Sequence, residues 1–100
     1  HAGWAKRVKS DDRVGPPQPH ILEEEVGAEV VLFDSERQIF VSLNETASDI
    51  WRLADGRFSL DELVAKLAAS YGTDSDSIRS DVESTVQELI DADLLPAASE

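Results

Sequence analysis

The sequence predicts an α+β domain in which a small antiparallel sheet is followed by three helices. Short runs rich in β-branched and aromatic residues lie between positions 21 and 43, and apolar residues at helical spacing fill the rest of the chain. A run of strands followed by a run of helices is typical of α+β domains. Tight turns between the helices, with a hairpin beside them, favour a winged helix-turn-helix. One hundred residues fit one such domain.

The predicted sheet has two or three strands. Residues 21–26 form a weak strand, because three consecutive glutamates interrupt it. Residues 29–33 are rich in β-branched and aromatic side chains, and residues 38–43 form their partner strand. The polar tetrad at 34–37 has the length of a hairpin connection, so these two strands are expected to pair antiparallel.

The strand at 38–43 is the best candidate for an open sheet edge. Ile39, Val41 and Leu43 share one face by the two-residue period of a strand, and this face is expected to cover the core. Phe40 points to the opposite face, where it is expected to be exposed. An open edge promotes aggregation unless something covers it. A second copy of the chain, or the segment with Trp4, is a candidate to cover it.

Each predicted helix begins at a capping residue. Asn44 follows the last strand directly and caps a helix over residues 44–55, whose Trp51 is expected in the core. Ser59 and Glu62 have the spacing of a capping box and begin the second helix, which ends after Tyr71. The acidic link at 73–77 caps the third helix, which is predicted to continue to about residue 93.

The two ends of the chain are predicted to lie outside the domain, which spans residues 21–95. Residues 1–20 are basic and contain a proline-rich run, so we expect a flexible segment, unless Trp4 docks on this molecule or a neighbour. Residues 96–100 are expected to be a tail. A polar end after Leu95 and Pro96 favours a free-standing protein over a fragment of a larger one.

The charge of the chain argues against a nucleic-acid partner. The formal net charge is −12, and residues 1–20 hold four basic against two acidic side chains, so the remaining eighty residues carry about −14. Such a surface repels phosphate, which disfavours both nucleic acid and anionic membranes. The chain has no cysteine and no apolar run long enough to span a membrane, which fits a cytoplasmic protein.

No catalytic or metal-binding pattern is present in the sequence. His1 and His20 lie in or beside the predicted flexible segment, so neither is expected to hold a metal or act in catalysis. No serine lies in a nucleophile motif, and no glycine-rich phosphate loop is present. The acidic groups at 23–25 and at Asp74 and Asp76 are interpreted as a solvated edge and a helix cap. We therefore expect a non-enzyme without cofactor or metal.

Three strings of residues resemble the PqqD-like family of precursor-peptide recognition elements. The first is Leu-Asn-Glu-Thr-Ala at 43–47, with Ile-Trp at 50–51 and Asp-Gly at 55–56. The second lies at 63–71 and the third at 81–95. With all predicted elements in the same order, the resemblance covers roughly residues 21–95. The sequence departs from the family pattern at Asp93, where a small residue is usual, and in its basic, proline-rich N-terminus.

This resemblance implies a winged helix-turn-helix that binds peptide. In the family, the leader of a ribosomally made precursor joins the sheet beside the third strand and against the third helix, and is thereby brought to a modifying enzyme. Carried over to this chain, the peptide-binding residues are Gln38, Ile39, Phe40, Val41, Ser42 and Leu43 of the strand and Arg79, Val82, Glu83 and Val86 of the helix.

Several of these residues also have a purely structural interpretation. Val82 and Val86 fit equally well as core residues, and Arg79 and Glu83 fit as an i,i+4 surface pair. The modifying enzyme implied is a radical-SAM enzyme, a leader peptidase or a cyclase, and the recognition protein itself is expected to be a monomer or weak homodimer. The alternatives are a general protein-interaction module and, against the charge, a DNA-binding winged helix.

Overall fold

The computed structural model describes residues 7–96 and contains six elements in the predicted order. The strands are β1 (Ile21–Val26), β2 (Glu29–Asp34) and β3 (Ile39–Ser42), and the helices are α1 (Glu45–Leu53), α2 (Leu60–Tyr71) and α3 (Ser75–Asp91). The prediction of an α+β fold with a sheet preceding three helices is confirmed. In the described part of the chain, each helix is too short or too polar to cross a membrane.

The three strands form an antiparallel sheet in the order β1-β2-β3. Val30 and Leu32 of β2 are fully buried beneath the helices, and the register pairs Leu32 with Val41. On the opposite face, the rings of Phe33 and Phe40 lie 4.9 Å apart between centroids. One face therefore covers the core, as the alternation predicts.

The predicted caps begin all three helices. The Asn44 side chain accepts the backbone N–H of Ala47 at 2.8 Å, at the start of α1. Ser59 and Glu62 form both bonds of a capping box on α2. The Asp74 side chain accepts the Ser77 N–H at 3.1 Å, at the start of α3. These bonds satisfy orphan backbone donors and fix where each helix starts.

Trp51 joins the sheet to the helices. It is 3% exposed, which confirms its predicted place in the core, and it lies next to the fully buried Ile50 in α1. Its indole Nε1 donates to Glu23 Oε1 at 2.8 Å, so the N–H group of the ring has a hydrogen-bond partner at the edge of β1. One of the three glutamates that weaken β1 in the sequence thus anchors this strand to α1.

Residues 8–20, which we call the N-terminal strap, pack against the domain instead of forming the separate flexible segment that the sequence predicted. Val14 is 3% exposed, and its N–H donates to the Phe58 carbonyl at 3.0 Å. The Gly56 N–H in turn donates to the Val14 carbonyl at 2.9 Å. Backbone pairing with the α1–α2 connection holds the strap, and local composition does not reveal such long-range pairing. Trp4 lies outside the described residues.

Gly15 lets the strap approach α1 closely. Its φ is +87°, and a Cβ built on it would lie 2.0 Å from the Ala54 carbonyl oxygen. A glycine is required there for both reasons. The strap then reaches the end of α3, where the Gln18 N–H donates to the Leu94 carbonyl at 3.1 Å.

Asp93 occupies the left-handed turn that ends α3. Its φ is +63°, a conformation that aspartate tolerates better than most side chains. Its carboxylate accepts from Gln18 Nε2 at 2.9 Å and from Arg37 at 3.3 Å. The residue that departs from the family pattern therefore joins the strap and the β2–β3 turn to the end of α3.

Candidate functional site

An open groove of about 290 Å³ lies between β3 and α3, with the start of α1 at one end. Leu43 and Leu89 are buried at its floor, with exposures of 5% each. Glu88 supplies a charged side chain at the rim. The groove is lined by Val41, Ser42, Leu43, Asn44, Ala47, Thr85, Glu88, Leu89, Ala92 and Leu94.

The backbone of β3 has one bonded side and one open side. The Leu43 N–H donates to the Val30 carbonyl at 2.9 Å, so this pair is a hydrogen-bonded pair of the antiparallel ladder. Bonded and non-bonded pairs alternate along such a ladder, so Val41 also directs its backbone groups toward β2. The N–H and C=O groups of Phe40 and Ser42 consequently point away from β2, toward the open edge.

The structure divides the predicted strand residues between the groove, the outer face and the turn. Val41, Ser42 and Leu43 line the groove. Phe40 is 74% exposed, as expected, and its side chain lies on the outer face of the sheet, with only its backbone at the edge. The prediction that Ile39 covers the core is wrong: its side chain is 47% exposed near the turn, and it does not line the groove.

Gln38 belongs to the β2–β3 turn. Its φ is +59°, and its N–H donates to the Asp34 carbonyl at 2.7 Å. Its backbone donor is thus already used within the hairpin. Gln38 lies at the corner where β3 begins, at one end of the open edge.

The α3 residues of the predicted site do not line the groove. Val82 and Val86 are 2% and 0% exposed, so they are core residues in this structure. Arg79 pairs with Asp61 of α2 and lies 3.6 Å from Glu83, which are contacts on the α2 side of the helix. The α3 side of the groove is formed instead by Thr85, Glu88, Leu89 and Ala92.

The difference between the predicted α3 residues and those that line the groove has a geometric reason. The apolar stripe of α3 packs mainly on α2, and residues at its flank border the sheet edge. Helical periodicity identifies the buried stripe, but it does not tell which flank borders the sheet. Thr85 and Ala92 are seven residues apart and therefore lie on one face of the helix. This spacing was the signal in the sequence for the flank of α3 that borders the sheet.

The β2–β3 turn is held by a buried carboxylate that sequence reasoning missed. Asp34 is 1% exposed and accepts the backbone N–H groups of Glu36 and Arg37 at 3.0 Å each. The Arg37 guanidinium donates to the other oxygen at 2.8 Å. The Arg37 N–H and guanidinium, with the Glu36 N–H, lower the pKa of Asp34 below 3.8, against the opposing effect of its desolvation.

The other free edge of the sheet, on β1, is less suited to strand addition than the β3 edge. The side chains of Glu23 and Glu25 are held by α1: Trp51 donates to Glu23, and Arg52 binds Glu25 at 2.7 Å. Arg52 lowers the pKa of Glu25, which keeps the carboxylate ionised. This edge therefore carries fixed side-chain pairs and consecutive acidic groups, which is how natural sheets block strand addition.

A larger and shallower depression of about 590 Å³ lies between α1 and α2. Asp49, Arg52 and Lys66 are its charged lining residues. Beside it, Tyr71 donates to Asp49 at 2.7 Å, and desolvation together with this carboxylate raises the pKa of Tyr71 to about 12. The depression is bordered by helices and has no strand edge, so it lacks the backbone donors and acceptors that the β3 groove offers.

The outer face of the sheet is a second exposed apolar surface. Leu22, Val26 and Phe40 are 60%, 56% and 74% exposed. Val31 and Phe33 lie between them and are partly buried. This face lies opposite the helices, so a molecule in the β3 groove would leave much of it accessible.

The fold and the groove define a small α+β domain with one open sheet edge beside a helix. The sequence matches the family described as Coenzyme PQQ synthesis protein D (PqqD) over residues 29–95, more than half of the chain. The chain therefore belongs to the PqqD family, as its motifs indicated. No curated protein matches the sequence.

Two solved structures share the fold. One is TbiB1 in complex with the TbiA(beta) leader peptide, with a TM-score of 0.76 and 21% identity, covering 86% of this chain and 100% of that chain. The other is lasso peptide synthetase B1 complexed with the leader peptide, with a TM-score of 0.67 and 23% identity, covering 85% of this chain and 96% of that chain. At these identities the likeness establishes the fold.

Proposed function

We propose that this protein recognises the leader of a ribosomally synthesised precursor peptide by adding it as a strand to β3. The observation that carries the proposal is the Leu43–Val30 hydrogen bond, which turns the backbone groups of Phe40 and Ser42 toward the open edge, next to the groove between β3 and α3. Strand addition takes affinity from main-chain hydrogen bonds and specificity from side-chain pockets. Membership of the PqqD family and the leader peptides named in the two similar structures support the same function.

The peptide-binding residues of this proposal differ in part from those expected from sequence. Phe40 and Ser42 offer backbone donors and acceptors, and Val41 and Leu43 offer apolar contact. Thr85, Leu89 and Ala92 form the opposite wall, in place of Arg79, Val82, Glu83 and Val86. A groove of this size and lining suits one or two apolar side chains of the peptide, which would alternate with residues facing solvent.

We further propose that the protein is non-catalytic and delivers the leader to a modifying enzyme. The outer sheet face, with Leu22, Val26 and Phe40, supports this role because it stays accessible while the groove is occupied. Exposed apolar patches of this kind are typical of protein-interaction sites. The enzyme would be a radical-SAM enzyme, a leader peptidase or a cyclase.

A backbone-amide NMR titration with synthetic leaders encoded near this gene tests the proposal. We expect shifts concentrated at residues 39–43 and 85–92, with the Phe40 and Ser42 amides gaining protection from hydrogen exchange. A matched control is the same peptide with a proline at every second position, which removes its donors on one side. Shifts elsewhere, or none with any neighbouring leader, would contradict strand addition on β3.

A DNA-binding function has little support from the surface of α3. Asp76, Asp81, Glu88 and Asp91 are exposed on this helix, and Arg79 is paired with Asp61 and Glu83. A recognition helix needs free basic or amide side chains for phosphates and base edges. Salt-sensitive retention on heparin would favour DNA binding, and we expect none.

A further inference from the structure

The strap brings a histidine against carboxylates from two other segments. His20 ends the strap, Glu36 lies in the β2–β3 turn, and Asp93 ends α3. The His20 side chain is 12% exposed, and its nitrogens lie 3.5 Å from Asp93 Oδ2 and 3.8 Å from Glu36 Oε2. One ligand atom from each of these three residues lies within 4.8 Å of the others. We call these residues the junction cluster.

A second observation at this cluster points to a ligand. Among residues 7–96, His20 Nε2 is buried and makes no hydrogen bond, although it faces Asp93 and also lies 3.8 Å from Asp34 Oδ1. Buried polar atoms nearly always have a partner, so His20 Nε2 has room for one, which a bound ion or an ordered water can supply. The sequence placed His20 in a flexible segment and expected no role for it.

The charges of the cluster favour a divalent cation. The Arg37 guanidinium lies 2.8 Å from the Asp34 carboxylate and balances the negative charge of this buried group. Glu36 and Asp93 then leave two negative charges beside the His20 imidazole, although Arg37 also lies 3.3 Å from Asp93. A divalent ion would neutralise both carboxylates.

The donor set and the spacing favour zinc or a similar transition metal. One imidazole nitrogen with carboxylate oxygens suits such metals better than magnesium or calcium, which prefer oxygen ligands. Two ligands on one tetrahedral zinc are separated by about 3.4 Å, close to the 3.5 Å between His20 Nε2 and Asp93 Oδ2. The Glu36 side chain is 68% exposed and can turn toward the ion without disturbing the core.

We propose that the junction cluster of His20, Glu36 and Asp93 binds a zinc-class divalent metal ion, with water completing the coordination. The ion would tie the strap, the β2–β3 turn and the end of α3 together. Ala92 and Leu94, on either side of Asp93, line the β3 groove. The metal would therefore stiffen one end of the groove, and this site does not depend on what the groove binds.

Calorimetric titration of the full, metal-free chain with ZnCl₂ tests the proposal. We expect one zinc ion per chain, and a loss of affinity on the order of tenfold or more in His20→Gln and in Glu36→Gln. Glu36→Gln changes an exposed side chain, so it remains informative if His20→Gln fails to fold. His1→Gln is the matched control for the second histidine of the sequence and should bind zinc like the wild type.

Thermal melts and histidine-ring NMR provide independent readouts. Zinc should raise the melting temperature of the wild type but not of Glu36→Gln, and should shift the His20 ring nitrogens. Absence of zinc binding by the wild type would overturn the proposal. Equal binding by His20→Gln, or loss of binding in His1→Gln, would also overturn it, since the ion would then lie elsewhere on the chain.

Discussion

The Leu43 N–H donates to the Val30 carbonyl at 2.9 Å, and this bond determines which backbone groups of β3 are open. Because bonded and non-bonded pairs alternate, Val41 faces β2 while Phe40 and Ser42 face outward. The residues that offer hydrogen bonds to a peptide are thus different from those whose side chains line the floor of the groove. Mutations can therefore change the backbone hydrogen bonds to the peptide and the floor of the groove separately.

Ser42→Pro should weaken leader binding without unfolding the sheet. Proline removes the outward N–H, whose hydrogen bond to the peptide is worth about 1 kcal/mol, and its ring also obstructs an added strand. We expect a loss of affinity of about tenfold or more, measured by fluorescence anisotropy with a labelled leader.

The comparison variant for this prediction is Val41→Pro, which removes an N–H that faces β2. It should lower the melting temperature markedly, whereas Ser42→Pro should leave it close to that of the wild type. Unchanged leader affinity in a folded Ser42→Pro variant would show that the peptide does not pair with β3.

Thr85→Trp should block the groove from the α3 side. Thr85 is partly buried in the groove wall, so a tryptophan there would fill much of the volume of about 290 Å³. We expect leader affinity to fall by at least about tenfold, since one or two apolar side chains of the peptide lose their pocket. Calorimetry would measure the affinity, and circular dichroism would confirm the fold.

Ser84→Trp is the matched control, because Ser84 is the exposed neighbour of Thr85 on the same helix and does not line the groove. It should bind the leader within about twofold of the wild type. Equal losses in both variants would mean that tryptophan acts through α3 stability, and that the groove wall is not the contact surface.

The start of each helix was predictable from sequence, whereas the groove wall and the strap were not. Asn44 and Ser59 cap helices through bonds to residues three positions away, so their signal is local. Val14 is buried by pairing with residues more than forty positions distant, which neither its charged nor its proline-rich neighbours reveal. A proline-rich composition removes donors but does not prevent packing.

The site was predictable on its strand side and less so on its helix side. The alternation at 39–43 correctly placed Val41 and Leu43 toward the core and Phe40 at the surface, because a strand has only two faces. It failed for Ile39, which is 47% exposed beside the turn. A helix has a continuous surface, so Val82 and Val86 fitted a pocket and a core equally well until the position of β3 was known. Asp34 lies in a polar turn and gave no sign of its burial.

Asp34 should make the stability of the protein depend on pH. Its pKa is lower in the folded state than its ordinary 3.8, so its contribution to the free energy of unfolding is present above this pH and is lost as the pH falls through the lower, folded value. Asp34→Asn removes that contribution. The difference in melting temperature between wild type and variant should therefore be largest near pH 6 and shrink below about pH 3.8.

The melts for this prediction should be run with a metal chelator, so that zinc at the junction cluster does not contribute. Arg37→Gln, which removes the guanidinium but leaves the carboxylate, provides a second test because it should weaken the same pH dependence. A difference between wild type and Asp34→Asn that stays constant from about pH 6 to about pH 2 would show that Asp34 does not stabilise the turn as an anion.

Gly15→Ala should destabilise the protein more than Gly27→Ala does. Both glycines have positive φ, +87° and +64°, so either alanine carries backbone strain of about 1–2 kcal/mol. At Gly15 the new Cβ would also meet the Ala54 carbonyl oxygen at 2.0 Å, while at Gly27 nothing lies within 4 Å. Relief of that clash should cost about 1–3 kcal/mol more, or at least about 4 °C in melting temperature. Equal melting temperatures for the two variants would show that the strap does not pack against α1 in solution, because only packing distinguishes the two positions.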